Sequence, residues 1–152
     1  MSNKKPTPTV RIDEALAYRV YRCARLLRSH FHRLTNSQGL ELSQEQWFIL
    51  NRLVHEDGLA QVQLGDAVLD DRPNVTRLVA SLRGRGLVQR ETDPADGRRQ
   101  CVFLTEEGRL LHDRFAALVP GARAATLEGV STEDLAATLR VLACLESNME
   151  KL

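Results

Sequence analysis

Apolar residues recur at Ile12, Leu16, Val20, Ala24, Leu27, Phe31 and Leu34. Steps of three and four keep them on one helical face, so the pattern predicts one helix over residues 10–35. Thr9 is its expected N-cap, Asp13 and Glu14 suit its first turns, and 36–39 ends it. A second helix opens at Ser43, with Gln46 as its capping-box partner and Leu42 and Trp47 as a hydrophobic staple. Trp47, Leu50, Leu53 and Val54 are its expected buried stripe. Asp57-Gly58 ends it, and Leu59 and Ala60 allow a very short strand.

Residues 61–68 read as a short helix with Val62, Leu64, Ala67 and Val68 inward. Leu69, Asp70 and Asp71 form a turn, and Asp71 is a good N-cap for a helix over 72–85. Pro73 falls in that helix's first turn, where its missing N–H costs nothing. Val75, Leu78, Val79 and Leu82 make its inner face, while Arg72, Asn74, Thr76 and Arg77 leave its N-terminal end polar. Residues 87–92 alternate as a strand, and 100–104 read as the antiparallel partner. The loop between them, DPADGRR, carries Asp-Pro and Asp-Gly turn signals. Thr105 caps a further helix that Pro120-Gly121 interrupts. Ser131, with Asp134 three residues on, caps a last helix whose apolar stripe is Leu135, Leu139, Leu142, Leu145 and Met149.

The predicted class is mainly α with a small β-hairpin, arranged as a winged helix-turn-helix with N- and C-terminal dimerisation helices. Its expected parts are a flexible tail over 1–9, a DNA-binding unit over 36–105, and a helical dimerisation region over 10–35 and 106–152. The first and last helices carry apolar faces with no local partner, and a second subunit would cover them.

Charge sharpens this picture. The 152 residues carry a net charge of only +1. Residues 72–99, however, hold seven arginines against three acids, a balance of +4 that leaves −3 for the rest. A neutral chain with one basic segment suits a localised nucleic-acid surface. The N-terminal end of a recognition helix meets base edges and phosphates, and a hairpin with arginines near its tip can lie along the minor groove.

The words LSQEQWFIL, RPNVTRLVASLRGRGLV and DPADGRR followed by CVFLTEEG resemble the multiple-antibiotic-resistance regulator (MarR) family, over roughly residues 10–150. The resemblance implies an obligate homodimer that binds a pseudo-palindromic double-stranded DNA operator, usually as a repressor, and releases it to a small molecule or an oxidant. Interleaved terminal helices would set two recognition helices one DNA turn apart, roughly 10 bp between half-site centres. Residues Arg72, Pro73, Asn74, Thr76 and Arg77 match the exposed start of the recognition helix, and Asp96, Arg98 and Arg99 match the wing. In the wing's D-x-R motif, Asp96 would orient the Arg98 guanidinium.

The resemblance also implies an effector cleft between the dimer-forming helices and the winged unit. Tyr21, Arg25, His30 and Trp47 are the residues expected near it, and a phenolic or carboxylate-bearing aromatic ligand suits arginine beside aromatic walls. An alternative is redox control through Cys23, which lies among arginines. Cys23 sits about a turn later than the sensing cysteine of hydroperoxide-responsive relatives, so it is expected to be a buried packing residue, as are Cys101 and Cys144. His30 and His32 point to different helix faces and make poor co-ligands, and His55 and His112 are isolated, so no metal site is expected. The chain holds no nucleophile elbow, P-loop, GxGxxG or HExxH, so neither an enzyme nor a cofactor is expected. An odd cysteine count, no signal-peptide pattern and no membrane-length apolar run predict a cytoplasmic protein with no membrane partner. A helical interaction protein that binds no DNA is the other alternative, and it leaves the arginine-rich hairpin unexplained.

Overall fold

A computed structural model describes residues 11–68, 72–93, 96–97 and 99–152, without the side chains of Ala67 and Arg72. The Thr9 and Asp71 caps, the turn over 69–71 and Arg98 lie outside the described residues. The chain divides into two units at Phe115 and Ala116.

In the first unit, helix α1 spans Leu16–Ser37. It starts later than its apolar period predicts. Ile12–Glu14 is a separate 3-10 turn, and Ala15 is extended (ψ 130°) with no side-chain cap. Arg11 pairs with Asp13 and Glu14, at 3.1 and 3.7 Å, within this short turn. At the far end, Gly39 takes φ +63° and the Leu40 N–H donates to the Thr35 carbonyl at 3.0 Å. This is a Schellman stop, and it turns Leu40 into the core.

Helix α2, Gln44–His55, carries the expected capping box: Ser43 Oγ accepts from the Gln46 N–H, and Gln46 Oε1 accepts from the Ser43 N–H, both at 3.1 Å. Its buried stripe is Gln46, Ile49, Leu50 and Leu53, while Trp47 and Val54 are half-buried at its edge. Helix α3 spans Gln61–Val68. Leu64 is fully buried there, but Val62, expected inward, is exposed. Residues two apart on a helix point about 200° apart, so a short helix cannot bury both.

Helix α4, Arg72–Gly84, buries Val75, Val79 and Leu82. Strands β1 (Leu59–Ala60), β2 (Val88–Thr92) and β3 (Gln100–Leu104) form an antiparallel sheet in the order β1-β3-β2. Val88 faces Leu104, Arg90 faces Val102 and Thr92 faces Gln100, and Leu59 meets Val102 from the other side. Asp57 Oδ1 ties the short β1 edge by accepting from the Leu104 N–H at 2.9 Å. Gly58 just before it has φ +74°, and a Cβ there would meet the Phe103 ring at 2.8 Å.

Helix α5, Glu106–Ala116, begins at Thr105, whose Oγ1 accepts from the Gly108 N–H at 3.0 Å and donates to the Gly86 carbonyl at 2.6 Å. Gly108 lets this helix approach the backbone before β2: a Cβ there would stand 2.0 Å from the Leu87 carbonyl oxygen. The core is aliphatic, with Ile49, Leu50, Leu53, Leu64, Val79, Leu82 and Val102 fully buried. An aromatic cluster borders it. Trp47 lies 4.6 Å from Phe115, Phe115 lies 4.9 Å from Phe31, and Trp47 stacks on His112 at 4.7 Å and 11°.

In the second unit, α6 spans Val119–Thr126; the helix is interrupted at 117–118, just before the expected Pro120-Gly121, because proline fits the first turn of a new helix. Helix α7 spans Thr132–Met149, and Ser131 Oγ caps it by accepting from the Asp134 N–H at 3.0 Å. Neither helix has a buried residue. No described helix is long and apolar enough to cross a membrane.

Candidate nucleic-acid interface and effector groove

The candidate recognition surface follows from how α4 is buried. Val75, Val79 and Leu82 use one face for the core, so Pro73, Thr76, Arg77, Ala80, Ser81 and Arg83 stand exposed on the other. Arg77 Nη2 donates to Asn74 Oδ1, a bond that aligns a guanidinium and an amide on successive turns. Both side chains can make paired hydrogen bonds to base edges. The Arg72 side chain lies outside the described residues.

The wing is closed by its own backbone. The Asp93 N–H donates to the Arg99 carbonyl at 2.9 Å, the Arg99 N–H to Asp96 at 2.9 Å, and the Asp96 N–H to Asp93 at 3.2 Å. Gln100 Nε2 donates to Thr92 Oγ1 at 2.9 Å and links the two strands at the wing's base. Asp96 and Arg99 are exposed at this tip. Arg90 was not among the expected site residues. It sits in mid-β2 with its Nε and Nη2 shielded from solvent and without a hydrogen-bond partner.

A groove of about 530 Å³ runs along α1 and α2. Tyr21, Ala24, Arg25, Leu27 and Arg28 line it from α1, Gln44, Glu45 and Phe48 from α2, and Val68 from α3. Glu45 Oε1 pairs with Arg28 Nη2 at 3.0 Å. Among the described residues Arg25 has no ionic partner, which makes it the open cation of the groove. Of the four residues expected in an effector cleft, the structure brings Tyr21 and Arg25 together here. Trp47 turns the other way onto His112 and Phe115. His30 is half-buried outside the groove, with its Nε2 shielded and unpartnered. Phe48, not Trp47, is the aromatic wall on α2. With the cap at Ser43, Gln44, Glu45 and Phe48 fall on one face, as do Tyr21, Arg25 and Arg28, but periodicity does not say whether that face or the one bearing Trp47 meets the groove.

Three more side chains depart from expectation. Cys23 and Cys144, expected to pack inside, are exposed on α1 and α7, while Cys101 is buried on β3. The buried face of α1 ends at Phe31 and Thr35, so its first four turns keep no side chain inside this chain. His112 is not isolated: its Nδ1 lies 2.9 Å from Asp113 Oδ1 and its Nε2 lies 3.3 Å from Asn51 Oδ1. Among the described residues no three His, Cys, Asp or Glu side chains gather where a metal ion would bind.

Residues 38–99 match the MarR family. The PcaV transcriptional regulator of Streptomyces coelicolor is 30% identical over 87% of this chain and 97% of its own length, with a TM-score of 0.66. The chain belongs to the MarR family of DNA-binding transcriptional regulators. A second structure of PcaV, in complex with its natural ligand, is 26% identical over 93% of this chain and 98% of that one, with a TM-score of 0.78. A probable transcriptional regulator from Pseudomonas aeruginosa is 29% identical, with a TM-score of 0.80 over 89% of this chain and 99% of that one. The matched residues take in α2, α3, α4 and β2 and stop just short of β3.

Proposed function

We propose that this MarR protein is a homodimeric repressor of a pseudo-palindromic operator and that a small aromatic acid or phenol releases it. The observation that carries the reading is the exposed polar face of α4, set beside an arginine-bearing wing in a stretch that carries a net charge of +4. Pro73, Asn74, Thr76 and Arg77, with Arg72, would read the major groove. Arg98 and Arg99, with Asp96 orienting Arg98, would follow the minor groove. Dimerisation is supported by the exposed Leu16, Val20 and Leu27 on α1 and by Leu139, Val141 and Met149 on α7, which have no cover in one chain. Five arginines and no acid on α1 would meet a partner whose 116–152 segment carries five acids against three bases.

The groove supports the effector class. Tyr21, Phe48, Leu27 and Val68 offer apolar walls, and Arg25 offers an unpaired cation for one carboxylate or phenolate. The ligand-bound structure of PcaV, 26% identical, supports control by a small molecule.

The test is a gel shift on the DNA upstream of the protein's own gene at two salt concentrations. Operator binding should fall steeply with salt, because phosphate contacts release counterions. Arg98→Ala should weaken binding to all sequences, and wild-type affinity in that variant would remove the wing's role. Screening aromatic acids, peroxides and metals for release of the bound operator then separates the groove from the exposed Cys23 thiol as the sensor. No shift with any regulatory fragment favours a helical interaction protein instead.

A further inference from the structure

The first two turns of α2 face two ways. Gln44, Glu45 and Phe48 line the groove, where Glu45 holds Arg28. Gln46, between them, points into the body of the unit and is 8% exposed. Its Oε1 closes the α2 cap on the Ser43 N–H, and its Nε2 donates to Ser81 Oγ on α4 at 3.1 Å, across 35 residues of chain. A few residues earlier, the Glu41 and Leu40 carbonyls accept from Arg85, the first residue after α4, at 2.7 and 3.2 Å. Three hydrogen bonds therefore tie the C-terminal end of α4 to residues 40–46. Glu41 takes φ +44°, a left-handed conformation that a non-glycine residue keeps only where its surroundings hold it. The Arg85 bond to its carbonyl is one such hold.

We propose that residues 40–46 are the joint through which the groove acts on the recognition helix, with Gln46 as its positioning residue. The proposal rests on reading the groove as the effector site and α4 as the DNA-reading helix. A ligand anion drawn into the groove competes with Glu45 for Arg28. Glu45 sits beside Gln46 on the first turn of α2, so a shift of that turn reaches α4 through Ser81 and Arg85. A rigid helix end bonded on both sides has few ways to move one contact without the other.

A double-mutant cycle tests this without knowing the effector. Glu45→Gln removes the charge that holds Arg28, and Ser81→Ala removes the acceptor for Gln46. Two readouts are used: affinity for the tightest duplex selected from a random-sequence DNA pool, and hydrogen exchange of the α4 amides in free protein. Glu45→Gln should change affinity by about fivefold or more, the low end of ordinary coupling between sites, and should alter exchange over residues 72–85. In the Ser81→Ala background the same change should move affinity less than about twofold and leave exchange as in Ser81→Ala alone. Ser81→Thr, which restores a hydroxyl, should bring the response back.

Equal effects of Glu45→Gln in both backgrounds overturn the joint, and so does the absence of any effect of Glu45→Gln on affinity and exchange. If Ser81→Ala does not fold, Arg85→Lys takes its place in the cycle and is judged by the same outcomes. If the wild-type protein selects no duplex, the DNA-reading role fails, and the exchange cycle still decides the joint.

Discussion

The winged unit and the terminal helices are both largely helical, yet they are built on opposite terms. In the winged unit each helix gives its apolar stripe to one shared core, and Leu50, Leu53, Leu64, Val79 and Leu82 reach zero exposure. Helix α1 is 22 residues long and buries only Phe31 and Thr35, and the 18-residue α7 buries nothing. The difference teaches how the chain divides its labour. One region is stable by its own contacts and presents a rigid surface. The other leaves apolar side chains exposed, as the proposed dimerisation region would.

The largest test of that contrast is Leu50→Ala. It removes a fully buried side chain and should cost about 2–5 kcal/mol, read as a lower denaturation midpoint. A cost below about 0.5 kcal/mol would mean that the winged unit does not depend on its own core. Gly108→Ala comes next. Its Cβ would collide with the Leu87 carbonyl at 2.0 Å, so α5 must shift at a cost of about 1–3 kcal/mol, seen in thermal melting. Ser43→Ala opens the capping box of α2 and should cost roughly 1 kcal/mol in the same assay.

The smallest effect on folding belongs to α7. Leu139 is 57% exposed, so Leu139→Ser should change the stability of the dissociated chain by no more than about 0.5 kcal/mol. It should nevertheless raise the concentration at which the dimer dissociates, measured by sedimentation. An unchanged dissociation constant would take α7 out of the interface.

Much of the architecture was legible because local rules and tertiary packing agree. The Ser43, Thr105 and Ser131 caps and the strand at 100–104 are dictated by side chains within three or four residues. The inner face of α4 was legible for the same reason: one apolar period has one possible inside. The groove was legible only in part. Periodicity placed Tyr21 and Arg25 on a common face but could not choose between Trp47 and Phe48, which are neighbours on α2 and both aromatic. That choice depends on α5, whose His112 and Phe115 pack against Trp47.

By itself, then, the sequence determined the helices, their caps, the hairpin and the concentration of arginine between 72 and 99, since each depends on near neighbours along the chain. Only the tertiary structure decided which side of α2 became core and which became groove, that β1 joins the hairpin as a third strand, and that Gln46 spans from its own cap to Ser81. Those outcomes are contacts between residues 35 to 68 positions apart. They arise from how several faces fit together at once, and no period within a single element encodes that fit.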